Sequence, residues 1–242
     1  MTDEPNRLNL VLPSANGDIR LTLETRSGIF SPLKADEGTL AMLSTVFLRP
    51  GETLLDLGCG SGLVALWAAM QLGAENVSML DVDPEAVELA RRNAQINGLG
   101  SIKSFCSDGF TNYTLTDLDW ILSNPPYHAD FGVPRRFIEK GFNRLKTGGR
   151  MVMVTKRELW YKNKFIAVFG GVQIARIGGY FVFTAQKRSS TRGGKHSRVA
   201  EDGRSGGRGR DIADVPAGGQ AQGGGRSTDT WSGRPAERNG GR

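Results

Sequence analysis

The residues best suited to chemistry stand in one short stretch, Asp56-Leu57-Gly58-Cys59-Gly60-Ser61-Gly62. Glycines at a strand end, opening a helix, let a ligand approach backbone N–H groups closely. A dinucleotide fingerprint spaces its glycines GxGxxG. Here they fall GxGxG, with a carboxylate two residues before the first. A carboxylate repels a pyrophosphate and attracts an ammonium, so the loop suits an amino-acid conjugate better than NAD. Two further acids close later apolar runs, Asp81 before Val82 and Asp108 before Gly109. An acid at the second strand end accepts from ribose hydroxyls, and one at the third can receive an adenine amine. Taken singly, Asp83 or Asp108 reads equally well as a cap or a turn. Three acids at three strand ends, beside a loop of Gly58, Cys59, Gly60 and Gly62, together fit S-adenosylmethionine. Cys59 has no base or partner in sequence and reads as a small residue of the turn.

The second chemical signal is Asn124-Pro125-Pro126-Tyr127, at the end of a fourth apolar run. An amide-like or aromatic NH2 is a poor nucleophile because its lone pair is delocalised. Acceptors on its two hydrogens localise that pair and aim it, with no prior deprotonation. The Asn124 side-chain carbonyl and the Pro125 main-chain carbonyl are candidate acceptors. Two prolines fix φ and hold the carbonyls rigidly. Tyr127 offers a ring on which a planar substrate can stack. The competing reading is a tight turn bearing a surface aromatic.

These residues need elements to hold them. Residues 53–57, 77–80, 102–106, 120–123 and 151–154 are short, largely apolar runs, the first four closed by glycine, an acid or the Asn-Pro-Pro turn. Amphipathic stretches separate them. Asp83 is a good N-cap, Pro84 sits at N1 and Gly98 fits C′. Ala86, Leu89, Ala90 and Ala94 make the stripe between. A helix carrying Leu40, Leu43, Val46 and Phe47 is expected before Arg49-Pro50-Gly51, and another carrying Phe137, Ile138, Phe142 and Leu145 before Gly148-Gly149. Residues 159–169 read as a helix, and 172–177 with 181–185 as a closing hairpin. Strands alternating with helices give a parallel sheet covered on both faces. The expected fold is α/β and Rossmann-like, a seven-stranded, mostly parallel sheet with an antiparallel C-terminal hairpin. Ile19, Leu21 and Leu23 alternate with polar residues as a half-buried strand.

Composition divides the 242 residues in two. From Ser189 onward, 14 of the 33 Gly stand with 9 Arg, 1 Lys and 6 acids, and large apolar residues nearly vanish. That segment holds most of the +6 formal charge, and the body is close to neutral. Three segments follow: a lead-in over 1–18, a catalytic domain over 19–187, and a Gly/Arg-rich tail over 188–242 expected to be disordered, since it cannot bury enough apolar surface to offset its ordering entropy. Arg alternating with Gly binds RNA weakly through charge and stacking, although the tail's acids dilute this; the alternative is an inert extension. Cys59 and Cys106 show no zinc or disulfide spacing, and no metal is expected. No run is long enough to span a membrane. The opening residues carry Asp3 and Glu4 without a charged-then-apolar signal layout, so a cytoplasmic location is expected.

Residues 54–97 resemble a class I S-adenosylmethionine-dependent methyltransferase. The NPPY motif is similar to that of enzymes acting on adenine N6, guanine N2 or glutamine amides. The finer resemblance, over about 19–186, is to ribosomal RNA guanine-N2 methyltransferases of the RsmC type. It rests on Ser27-Gly28-Ile29-Phe30-Ser31, on Asp36-Glu37-Gly38-Thr39, on Asn124 to His128, on Lys156-Arg157-Glu158-Leu159 and on Gly179-Tyr180-Phe181-Val182. The larger members carry an additional N-terminal domain, and this chain resembles the single-domain relatives. The resemblance implies methyl transfer to guanine N2 of ribosomal RNA, with ribosomal RNA or a ribosomal subunit as partner. Asp56, Gly58, Cys59, Gly60, Gly62, Asp81, Val82, Asp108, Gly109 and Asn124 would hold the cofactor. Asn124, Pro125, Pro126 and Tyr127 would act on the amine. Phe30, Tyr127, His128, Lys156 and Arg157 would meet the substrate. Arg135, Arg136, Lys162 and Lys164 extend a possible RNA-facing rim, and Trp160 with Tyr161 a stacking surface; a solvated helix face and packing on the sheet are the respective alternatives. The rival functions are glutamine-amide methylation of a protein, adenine-N6 methylation of RNA, and a catalytically silent S-adenosylmethionine or RNA-binding module.

Overall fold

The computed structural model describes residues 6–14, 17–25, 36–125 and 131–189. Phe30, Pro126, Tyr127, His128 and the Gly/Arg-rich tail lie outside the described residues. Among the described residues nine strands and five α-helices follow one another: β1 (Asn6–Leu12), β2 (Ile19–Thr25), α1 (Glu37–Leu43), β3 (Leu54–Leu57), α2 (Leu63–Leu72), β4 (Val77–Asp81), α3 (Pro84–Ile96), β5 (Lys103–Cys106), β6 (Leu118–Ser123), α4 (Gly132–Arg144), β7 (Leu145–Thr155), α5 (Glu158–Phe169), β8 (Gln173–Ile177) and β9 (Tyr180–Gln186). Seven form one sheet in the order β5-β4-β3-β6-β7-β9-β8. The first five of that order run parallel, and β9 and β8 close the sheet antiparallel. This is the expected doubly wound fold. Strand order reverses between β3 and β6, and in such sheets ligands bind beyond the carboxyl ends at that switch point.

The central strands are buried on both faces, which is why they read as unbroken apolar runs. Alternate residues serve opposite layers. Leu54, Trp120, Leu122, Val152 and Val154 pack with residues of α1, α2 and α3. Leu55, Leu57, Ile121, Met151 and Met153 pack with Phe137, Ile138 and Phe165 of α4 and α5.

Three expectations are corrected. The lead-in contains a strand: β1 pairs antiparallel with β2, Leu8 opposite Leu23 and Leu10 opposite Leu21, in a separate two-stranded sheet. This hairpin covers the outer side of α2, and Trp67 Nε1 donates to the Pro13 carbonyl at 3.1 Å. That cover explains why α2 is apolar nearly all round. Helix α1 stops at Leu43, because the Ser44 and Thr45 hydroxyls donate back to the carbonyls of Ala41 and Met42; Phe47 beyond it is 69% exposed. Gly148-Gly149 does not precede the fifth parallel strand but lies within it, since β7 already starts at Leu145.

Asn93 of α3 and Asn97, its C-cap, fix the hairpin. Asn93 accepts from Glu24 N at 2.7 Å and donates to Glu24 O at 3.1 Å. One turn later, Asn97 accepts from Thr22 N at 2.9 Å and donates to Thr22 O at 2.7 Å. The i, i+4 spacing of a helix thus matches the i, i+2 spacing of a strand edge, and side-chain amides replace a neighbouring strand. Asn93 also donates to the Ser61 carbonyl at 3.0 Å, which ties the hairpin to the glycine loop.

Candidate active site

A cavity of about 350 Å³ opens beyond the ends of β3, β4, β5 and β6. The glycine loop, Asp81 to Asp83, Ser107 to Gly109 and Asn124-Pro125 line it from the sheet side. Leu8, Leu10 and Leu23 of the hairpin, and Asp36 and Thr39 of the α1 start, line it from the other.

The loop is shaped by its neighbours. Gly58 N and Cys59 N both donate to the Leu80 carbonyl at 2.9 Å, which turns the chain off β3 onto the end of β4. Gly62 has φ +86°, and a Cβ there would lie 3.0 Å from Ala90 Cβ, so glycine serves both the turn and the close approach of α3. Gly60 N donates to Asp81 Oδ2 at 2.9 Å, and Asp83 N to Asp81 Oδ1 at 3.1 Å. Each carboxylate oxygen has a second lone-pair site, so Asp81 can brace the loop and still accept hydroxyls from the cavity. Val82 next to it is 64% exposed. Asp83 is the N-cap of α3, accepting from Glu85 N at 2.9 Å.

Asp56 sits deeper and is 2% exposed. Its Oδ2 accepts from Ala65 N at 3.0 Å, in the first turn of α2, whose cap residue Gly62 has no side chain to do so. Burial pushes its carboxyl up to about 7; the Ala65 N–H opposes this and the nearby Asp81 charge adds to it. A buried acid in this state is matched to a cation arriving from the cavity. Cys59 is also buried, and burial, reinforced by Asp56 and Asp81, pushes its thiol well above the usual range. A thiol held protonated is no nucleophile.

Asp108 and Gly109 reach the cavity at the end of β5. Ser107 braces the turn, donating to Gly109 O at 2.8 Å and accepting from Asn112 N at 2.9 Å. Asp108 is paired at 3.3 Å with Arg136, a residue assigned from sequence to the rim.

Asn124 directly follows β6, whose last residue, Ser123, donates its Oγ to the Leu57 carbonyl at 2.7 Å and locks β6 against β3. Its side-chain nitrogen donates to Asp36 Oδ2 at 2.7 Å and to Thr39 Oγ1 at 2.9 Å. Those two acceptors assign nitrogen and oxygen of the amide and turn the carbonyl oxygen the other way. In the sequence Asp36 and Thr39 show only the spacing of a helix cap, and no local signal points to their contact with Asn124.

Lys156 and Arg157 do not line the cavity. They follow β7, the neighbour of β6, with Lys156 Nζ 4.9 Å from the Tyr180 ring centre and the Arg157 guanidinium 5.1 Å from that of Phe131. Phe131 stacks on Trp160 at 4.4 Å. Tyr161 is buried against Phe183, so it packs on the sheet rather than forming an outer stacking surface. Arg135 and Lys164 of the expected rim both pair with Glu139. Among the described residues no group of acids, Cys and His could hold a metal, and no helix is long and apolar enough to cross a membrane.

Residues 20–184 match the model of the methyltransferase small domain. The chain belongs to that family. A ribosomal RNA small subunit methyltransferase C from Chromohalobacter salexigens is 37% identical over 158 residues, 62% of this chain and 46% of that one. The Bacillus subtilis protein YbxB is 31% identical over 173 residues, 69% of this chain and 86% of its own length. Among solved structures, the T. thermophilus 16S rRNA N2-guanine methyltransferase RsmC, in complex with AdoMet and guanosine, superposes with a TM-score of 0.64 at 25% identity, covering 75% of this chain and 51% of that one. The chain spans about half the length of the small subunit methyltransferases C that it matches.

Proposed function

We propose that this chain transfers the methyl group of S-adenosylmethionine to an exocyclic amine of RNA, guanine N2 of ribosomal RNA being the acceptor, and that it works in the cytoplasm, where that RNA is. The observation that carries the reading is the placement of the Asn124-Pro125 ledge on the wall of a cavity that also holds Asp56, Asp81 and Asp108. The residues fit the cofactor. Asp56 would receive the ammonium, Asp81 the ribose hydroxyls, and Asp108 the adenine amine, over a loop of Gly58, Cys59, Gly60 and Gly62 with Val82 and Gly109 at its edges.

S-adenosylmethionine supplies an electrophilic methyl group on a sulfonium. The chain's own task is to present the amine. Asn124 Oδ1 and the Pro125 carbonyl accept its two hydrogens, which directs the lone pair at the methyl carbon. As the N–C bond forms and the C–S bond breaks, positive charge grows on the nitrogen, and both carbonyl dipoles stabilise it. Asn124 Oδ1 and the Pro125 carbonyl hold the amine until it gives one proton to water, while the C–S electron pair leaves with the cofactor as its neutral thioether. Tyr127 and Pro126 complete the motif, and Phe30, His128, Lys156 and Arg157 would meet RNA around a base taken out of its stack.

The test has two parts. Calorimetry of the full chain with S-adenosylmethionine should show binding, and its absence sinks the reading. Labelled methyl transfer to ribosomal RNA from cells lacking the gene, followed by nucleoside mass spectrometry, should yield N2-methylguanosine. N6-methyladenosine would replace the base, labelled protein would replace RNA with a glutamine amide, and binding without transfer would leave a silent module.

A further inference from the structure

Asp36 and Thr39 precede the parallel sheet in sequence, and nothing in the reaction above uses them. Yet the Asn124 amide nitrogen donates to both, at 2.7 Å to Asp36 Oδ2 and 2.9 Å to Thr39 Oγ1. The same carboxylate oxygen caps α1, accepting from Thr39 N at 2.8 Å, and takes the Thr39 hydroxyl at 3.4 Å. The donor directions form one consistent chain: Asn124 gives to Thr39, and Thr39 gives to Asp36. Thr39 is buried, and both residues line the cavity.

We infer that Asp36 and Thr39 are positioning residues for methyl transfer: they clamp the Asn124 amide so that its carbonyl oxygen, and not its nitrogen, faces the acceptor amine. This rests on the reading of Asn124 given above. An amide can turn about its last torsion, and the turned form would set two donors against the donors of the incoming NH2. A carboxylate on the nitrogen side makes that form costly. It also polarises the amide, and hydrogen bonds in a chain strengthen one another, so Oδ1 becomes a better acceptor as charge grows on the substrate. The clamp joins the start of α1 to the end of β6, so the cap of one helix and the aim of the reacting group share an oxygen.

The cap and the clamp can be separated. Serine caps helices about as well as aspartate but is too short to keep the Asn124 contact. Asp36→Ser should therefore melt within about 2 °C of wild type. It should bind S-adenosylmethionine within about threefold, and lose about 10- to 100-fold in kcat on ribosomal RNA lacking the modification. Asp36→Asn, which keeps an acceptor oxygen, should recover part of that loss. In an Asn124→Ala background, Asp36→Ser should cost nothing further. Wild-type turnover by Asp36→Ser beside an inactive Asn124→Ala overturns the clamp alone. Cofactor affinity falling in step with kcat overturns it in favour of a ligand role, and a multiplicative loss in the double variant overturns it in favour of independent action. Full activity in Asn124→Ala removes the reading on which the clamp rests.

Discussion

The glycine-loop side of the cavity and the Asn124 side are built on different plans. From Asp56 to Gly109 the functional groups come in sequence order from three successive strand ends, and main-chain N–H groups do much of the holding: Gly60 and Asp83 on Asp81, Ala65 on Asp56. On the other side one side-chain amide is oriented by two side chains, 88 and 85 residues away. On the proposed reading, the first plan would grip a ligand in its ground state, and the second would aim a single acceptor whose worth is realised only as the amine reacts. Substitutions on the first side should therefore move affinity, and those on the second should move rate.

The largest effect expected is on the second side. On the proposed mechanism, Asn124→Ala would remove one of two acceptors for the amine. Loss of a comparable preorganised hydrogen bond costs about 10² to 10³ in rate, while cofactor affinity should change less than about threefold. Paired calorimetry and single-turnover methyl transfer check this. A variant that loses affinity and rate equally would erase the distinction between the sides.

Asp81→Ala is the mirror case. It removes a charged acceptor and releases Gly60 N and Asp83 N from their anchor. Affinity for S-adenosylmethionine should fall about ten- to a hundredfold, with kcat at saturating cofactor nearly kept. Unchanged affinity would move the ribose contact elsewhere.

The two plans also differ in how far the sequence discloses them. Strand, glycine loop and acid recur within a few residues of each other, so the alternation of apolar runs and breakers reveals the sheet and the groups at its ends together. The clamp is not legible that way. Asp36 and Thr39 have the spacing of an ordinary cap, and only the fold brings them to Asn124. Strand β1 does carry a local signal: Leu8, Leu10 and Leu12 alternate with Asn9 and Val11, and α2, apolar on nearly all sides, demands a second cover. Nothing local to Asn93 or Asn97 shows the strand edge that they meet. Arg135, Arg136 and Lys164 looked available as a basic rim, but their acidic partners come from other turns or segments.

The pH dependence of cofactor binding probes the glycine-loop side further. The Asp56 carboxyl, pushed up to about 7 mainly by burial, is partly neutral near that pH. Its folded value lies above the unfolded 3.8, so its ionisation works against folding as pH rises from about 4 towards 7. An ammonium bound beside it favours the charged form, so binding below pH 7 must release a proton. Affinity should then fall as pH drops, approaching about tenfold per unit below 7, and should fall again above about 8 as the α-amino group loses its charge. Calorimetry in buffers of different ionisation enthalpy reads the released proton directly. Asp56→Asn should flatten the acid limb; a limb that persists in this variant belongs to another group.

The smallest effect is expected at Arg136, on the border between the two sides. Its guanidinium meets Asp108 at 3.3 Å, with both side chains more than half exposed, 51% and 60%. Exposed pairs of this kind are worth little, because solvent screens the attraction and two long side chains lose freedom. Asp108 does not depend on it for position, since Ser107 and the Thr111 hydroxyl already brace that turn. Arg136→Ala should therefore change cofactor affinity by less than about threefold. If Arg136 instead reached a phosphate, its loss would reduce the slope of log affinity against log salt by about one. Its engagement with Asp108 argues for an unchanged slope. A filter-binding series on ribosomal RNA at several salt concentrations separates the two. A shallower slope would place Arg136 on the RNA side and move the border between the halves past α4. An unchanged slope with intact cofactor affinity would leave the pair as a surface contact that neither half needs.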